Sequence, residues 1–296
     1  MKSLVLTLLL LVCVISSAIS FADSSGTTKR ILYPSLDGNE RFEDLREILG
    51  LALQKTEDDF GPFELLPSYP KMTESRLLQE LEAGRRIDVM WSSTSPEKEK
   101  KLLPIRIPLR KGILGYRICF IYKHRQNFLH GVKTLQDLQE LRIGQGIGWG
   151  DVEIYRAAGI IVEQSTYDNL FKMVNSNRFD LFPRGISEIY QEYELYASDN
   201  PNLHIDDHLL IYYPWPYYFF TSKNDIALAN RLETGLWRMI NDGTFDELFF
   251  KYNRKSILRG KLSDRHLISI DNPNLTKETP LGDSRLWFDP FADPLN

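Results

Sequence analysis

Cysteine is nearly absent, with two in 296 residues. Cys13 lies in an N-terminal apolar run, so a chain processed behind that run keeps one thiol and has no internal disulfide. Cys119 sits in Gly115-Tyr116-Arg117-Ile118-Cys119-Phe120-Ile121-Tyr122, which alternates as a strand does, and reads as a buried, inert thiol. No basic block exists: 36 Lys and Arg stand against 40 Asp and Glu, which argues against a nucleic-acid partner. Beyond the first residues no apolar stretch approaches the ~20 residues that a membrane helix needs. Nucleotide-binding glycine patterns are missing too. Gly144 and Gly146 are followed by Trp149 where G-x-G-x-x-G needs its third glycine, and there is neither a P-loop nor a Gly-x-Ser-x-Gly elbow. His204 and His208 are four apart, but Asp206-Asp207 separates them in a segment that reads as loop and strand. Neither a metal nor a cofactor is expected.

What is present begins with the export signal. Met1-Lys2 is a basic start, Leu4 to Val14 is apolar, and Ser20-Phe21-Ala22 offers the small residues that a signal peptidase reads, predicting cleavage after Ala22 and a periplasmic location. Val12 before Cys13 argues against a lipid-modified cysteine. Loss of Lys2 leaves 35 basic against 40 acidic residues, a net of −5. With 43% apolar residues the chain can bury a large core and is expected to make two lobes.

Along the processed chain, Ile31-Leu32-Tyr33 predicts a strand. Phe42, Leu45, Ile48, Leu49 and Ala52 recur at helical spacing, Thr73 starts a helix carrying Leu77, Leu78 and Leu81, and Ile87 to Trp91 is the next strand. Strand, helix, strand is the pattern of an open parallel sheet. A second α/β unit follows: a capping box at Thr134 to Asp137, strand 141–144, a helix from Asp151 to Ala158, strand 160–162, a helix capped by Thr166, and a strand from Phe179 to Phe182. The segments Gly115–Tyr122 and Tyr217–Thr221 flank this unit and predict two hinge crossings. Asp225 opens a further helix, and Thr244-Phe245-Asp246-Glu247 predicts a capping box for another. The expected division is residues 1–22 as signal, 23–116 with 217–258 as lobe 1, and 117–216 as lobe 2. Residues 259–296 form an extension laid on lobe 1, or a loose end.

Three stretches resemble the bacterial family 3 solute-binding proteins. Leu81 to Val89 followed by Ser95-Pro96-Glu97-Lys98 is similar to the family's Gly-Arg-x-Asp strand and its threonine-proline-glutamate-arginine turn. Thr134 to Leu138 leading to Arg142-Ile143-Gly144 resembles the start of its second lobe, and Asn241-Asp242-Gly243-Thr244 with Phe249 to Tyr252 resembles its closing helix pair. The resemblance spans roughly residues 31 to 252. It implies a two-lobed Venus-flytrap fold of type 2, α/β, with two open sheets flanked by helices, a two-strand hinge, and a solute held between the lobes at the strand ends. Two departures bear on the solute. Lys98 stands where the family's arginine clamps an α-carboxylate, and lysine lacks the bidentate fork. Arg184 or Gly185 falls where the family places an aspartate for the α-amino group, so an ordinary amino acid is not the expected ligand.

The candidate ligand-binding residues follow from these positions. Arg184, after a strand and a proline, would face the cleft and suit a carboxylate or phosphate; the alternative is pairing with Glu188 or another acid. Lys98 can hold an anion as a point charge. Gly146 and Trp149 lie in a glycine-rich turn where amides can approach a ligand and Trp149 can stack on it, or where Trp149 simply packs on its lobe. Ser92, Ser93 and Thr94 end a strand and can bond a solute or cap a turn. Tyr33 and Asp37 end the first strand. The aromatic run Tyr212 to Phe220 reads as hinge packing, with a ligand cage as the alternative. The resulting expectation is a monomeric, non-enzymatic binding protein for a small polar or anionic organic solute, serving a membrane permease or a sensor in trans. Its rivals are a dehydratase or lyase on the same scaffold, with Glu188 as the one acid in view, and a ligand-free interaction module with a decayed cleft.

Overall fold

The computed structural model describes residues 28–35 and 42–292; the signal segment and Asp37 lie outside the described residues. The first lobe opens with strand β1 (Lys29–Tyr33), helices α1 (Glu43–Gln54) and α2 (Glu57–Phe60), and strand β2 (Phe63–Pro67). Helix α3 (Glu74–Glu82), strand β3 (Val89–Ser93), helix α4 (Pro96–Lys101) and strand β4 (Leu102–Ile105) follow. Leu45, Ile48, Leu49 and Ala52 form one buried stripe of α1, and the Thr73 side chain accepts from the Arg76 amide to start α3, both at the expected places. β1 pairs parallel with β2, and the Asp88 carboxylate accepts from the Leu32 amide to hold β1 beside β3. Strands β2 and β4 were not apparent in the sequence: Phe63–Pro67 is mostly half-buried and β4 carries Pro104, so neither alternates cleanly.

The second lobe runs β5 (Tyr116–Tyr122), α5 (Gln126–Leu129), α6 (Leu135–Gln139), β6 (Arg142–Gly146), α7 (Asp151–Ala157), β7 (Ile161–Ser165) and α8 (Tyr167–Asn175). It continues through β8 (Phe182–Gly185), α9 (Ile189–Tyr196), β9 (Leu203–Ile205) and β10 (Leu209–Tyr212). The predicted box at Thr134 is present, with hydroxyl and Asp137 carboxylate each accepting from the other's backbone. β5 is central, antiparallel to β8, β9 and β10. Its Ile118 and Phe120 pack with α8 on one face, whereas Cys119 and Ile121 pack with Tyr155 on the other. Burial pushes the Cys119 thiol up, keeping it in its unreactive form.

The chain returns by β11 (Tyr217–Ser222), which lies antiparallel between β3 and β4, then α10 (Ile226–Asn241), α11 (Thr244–Gly260) and β12 (His266–Ser269). Two expectations are corrected here. Thr244 is not a cap: Gly243, at φ 86°, turns the chain so sharply that Thr244 is already helical and its hydroxyl donates to Asp242. The extension does not lie on lobe 1 alone. β12 pairs parallel with β10 at the edge of the lobe 2 sheet because Ile268 and Ile270 fill that lobe's core, and only afterwards do Leu286 and Trp287 reach lobe 1. α11 also straddles the lobes, with Phe245 and Leu248 in the lobe 1 core and Phe249 and Ile257 in that of lobe 2. Among the described residues no helix is long and apolar enough to cross a membrane.

Candidate functional site

The ends of β3 and β6 face each other across a cleft of about 370 Å³, in the range of small-molecule sites. Its lobe 1 wall is the turn Ser93-Thr94-Ser95 with Lys98, its lobe 2 wall carries Trp149, Glu153 and Arg156, and Trp215 and Asn274 lie at its margin. Ser95 forms the lobe 1 turn: its hydroxyl accepts from the Lys98 amide at 3.3 Å, and Pro96 takes the first helical position. This coils α4 so that the Lys98 ammonium folds back onto the strand end. It donates to Ser92 Oγ at 2.6 Å, the Ser93 carbonyl at 3.0 Å and Glu74 Oε1 at 3.0 Å. Burial works to raise the Glu74 carboxyl, but Lys98 and the Ser92 hydroxyl outweigh it and hold the group below its ordinary value. Lys98 therefore reaches the cleft with its charge already matched. Ser92 is buried beneath it, and Thr94 donates to Glu99 at 2.5 Å.

Lobe 2 is built differently. β8 starts three residues later than expected, so Arg184 lies inside the strand rather than beyond it, on the same face as Phe182. It is 5% exposed, and its guanidinium donates through Nε and Nη2 to both oxygens of Glu192, at 2.7 and 2.6 Å, with Glu188 at 3.1 Å. The Trp149 ring covers it, 4.6 Å from centroid to guanidinium carbon. Burial alone lowers its pKa, yet the two carboxylates raise it above the ordinary value. The expectation of a free anion anchor at Arg184 thus gives way to an internal ion pair, because the strand shift points the side chain at α9. Trp149 can lie there because β6 ends in Gly146, where a β-carbon would overlap the indole.

A second arginine, Arg117, was missed as a site residue. It shares the opposite face of the sheet with Cys119, bonds Asp151 at 2.8 Å, and lies over the Tyr213 and Trp215 rings at 5.4 and 5.8 Å. Tyr213 donates its hydroxyl to Asp151 in turn. Glu188 approaches both arginines, 3.9 Å from Arg117, so the acid that an enzyme would need is engaged in pairing. Tyr33 stacks on Trp91 within the lobe 1 core, 6.2 Å between centroids. The cleft thus unites Ser93, Thr94, Lys98 and Trp149 from the expected set, and leaves Arg184, Ser92 and Tyr33 behind its walls. Arg156, Glu153 and Asn274 carried no local signal, whereas Trp215 belongs to the aromatic run around the second hinge crossing. Among the described residues Arg156, Glu153 and Glu97 make no ion pair, so the cleft offers one unmatched cation and two unmatched acids. Among the described residues no group of three or more His, Cys, Asp and Glu is placed to hold a metal ion.

No family model and no curated protein sequence matches the chain. Solved structures do. YckB of Bacillus subtilis is 16% identical, with 82% of this chain and 97% of that one covered, at a TM-score of 0.52. A structure from work on glutathione import through GshT and the cystine importer TcyBC of Streptococcus mutans is 11% identical, covering 76% and 95%, at 0.50. The fold is the two-lobed one of periplasmic binding proteins, as the family 3 resemblance implies.

Proposed function

We propose that the chain is a divergent family 3 solute-binding protein that takes a small polar organic molecule between its lobes, delivering it to a membrane permease or a sensor. The carrying observation is the interlobe cleft, in which a hydroxyl-rich turn from one lobe faces an indole from the other together with Arg156, which makes no ion pair among the described residues. Its size suits a molecule of roughly amino-acid to dipeptide dimensions. Serine and threonine hydroxyls supply orientation, Trp149 and Trp215 supply apolar faces, and Arg156 supplies a counter-charge for a carboxylate or phosphate. A solute touching both walls stabilises whichever lobe arrangement makes both sets of contacts, which is how occupancy becomes visible to a partner. The import system from which the Streptococcus structure comes supports a permease partner. Export by a cleaved signal, as the first 22 residues suggest, would place both in the periplasm.

The test is a thermal-shift screen of refolded protein against amino acids, dicarboxylates, sugar acids and short peptides. A ligand at a hundredfold excess over Kd should stabilise the fold by about 2.7 kcal/mol. The hit should vanish in Arg156→Ala, which removes an exposed side chain, and lobe 2's own pairing predicts that it survives Arg184→Lys. Silence across the panel favours the second reading, a ligand-free interaction module, for which the self-satisfied arginines of lobe 2 are the specific support.

A further inference from the structure

Helix α11 carries a face that is open to solvent. Phe245, Leu248, Phe249 and Ile257 turn into the two cores, while Gly243, Glu247, Phe250, Arg254 and Leu258 follow one another at steps of three and four residues along the outer side. Phe250 is half-buried, Leu258 is 53% exposed, and Glu247 and Arg254 are exposed. The result is a narrow apolar stripe that carries one acid near its start and one base near its end.

Those two charges are unmatched within the chain. Among the described residues Glu247 makes no ion pair, and the Arg254 guanidinium lies over the Phe250 ring at 5.5 Å without a carboxylate partner. The charges on the flanks are different. Glu47 neutralises Lys251 through contacts of 2.8 and 2.6 Å, Lys111 holds Asp246 at 2.5 Å, and Lys255 lies near Glu194, which Arg259 already pairs at 2.7 Å. Gly243 meets no atom within 4 Å of the place a β-carbon would take, so the stripe begins in an open notch.

Read in reverse, the stripe is its own complement. Glu247 and Arg254 lie equally far from a point between Phe250 and Lys251, and so do Gly243 and Leu258. We infer that a second copy of the chain docks on this face, with the two α11 helices antiparallel about a two-fold axis through that point. Glu247 then faces the partner's Arg254, Phe250 meets the partner's Phe250, and Leu258 enters the notch above the partner's Gly243. A parallel pairing would set acid against acid and base against base. The charges therefore select the antiparallel register, while Phe250 and Leu258 supply the apolar burial. This departs from the monomer expected of the sequence. No residue lining the cleft belongs to α11, so the contact uses none of the solute site. Because α11 enters the cores of both lobes, each copy meets the other at the seam between its lobes.

About 24 Å of paired helix buries less than the ~1,600 Å² of a standard interface, so the dimer is a weak one, with a Kd on the order of 10–100 µM. Sedimentation velocity of the whole protein tests this, from about 5 to about 300 µM in ~50 mM salt. The expected result is a reversible monomer–dimer equilibrium that weakens by roughly threefold or more in ~0.5 M salt. Glu247→Arg and Arg254→Glu should each abolish self-association, because each sets like charges against one another across the axis. An equimolar mixture of the two variants should regain it, since both cross pairs are then matched, and so should a chain carrying both changes. A protein that stays monomeric throughout overturns the inference, and a monomer that sediments with phosphatidylserine vesicles assigns the face to a membrane instead. Self-association that survives both single changes also overturns it, as does a mixture and a doubly changed chain that both remain monomeric.

Discussion

The two walls of the cleft show how similar strand ends can be finished in opposite ways. Lobe 1 ends β3 in small hydroxyl residues, and its one cation, Lys98, is tied by bonds that leave it at the surface of the cleft. Lobe 2 ends β8 and begins β5 with arginines, and buries both, each with its own carboxylate and under its own indole. A buried charge is tolerated only when paired and hydrogen-bonded, so lobe 2 has committed its strongest polar groups to itself. The contrast teaches that a charged residue at a strand end marks a ligand site only if its own lobe leaves it unmatched. By that criterion Arg156, which makes no ion pair among the described residues, outranks Arg184.

The largest break in this comparison is Glu192→Ala. It strips Arg184 of its bidentate partner and should cost about 3–5 kcal/mol in urea unfolding. The double change Arg184→Met with Glu192→Leu should recover most of that loss, because it removes both charges. Next is Gly146→Ala, whose β-carbon collides with Trp149; a loss of about 1–3 kcal/mol with altered tryptophan fluorescence is expected. On the lobe 1 side, Ser95→Ala removes the α4 cap and should cost about 1 kcal/mol by the same unfolding assay. The smallest effect is the acid limb of stability. Glu74 is held below its ordinary value, so its contribution is present above the unfolded carboxyl pKa and fades as pH falls through the folded one. Glu74→Gln should flatten the stability profile below about pH 4.5, and an unchanged slope would show that Lys98 gains nothing from that partner.

Much of this site was legible where its logic is local. Ser95-Pro96-Glu97-Lys98 reads as a turn after a strand, and the glycine run around Trp149 reads as a close approach. The pairing of Arg184 was half legible, since Glu188 and Glu192 are four residues apart and must share a helix face. What misled was a shift of three residues in the start of β8, enough to turn a residue beyond a strand into one within it. Trp215 was legible only as part of an aromatic run at the hinge, and Arg156 and Asn274 could not be read as partners of it or of each other. They come to the cleft from a helix, a hinge crossing and the extension, and nothing in their neighbours in sequence points to the others.

The sequence by itself determined the α/β alternation, the main helices, several of their caps and the order of the two lobes, because periodicity and capping depend on residues three to five positions apart. Only the tertiary structure decided which charges are matched, that β12 belongs to lobe 2, and which side chains face the cleft. Those depend on strand register and on pairing between distant segments, where a small displacement changes a side chain's partner without changing the local pattern.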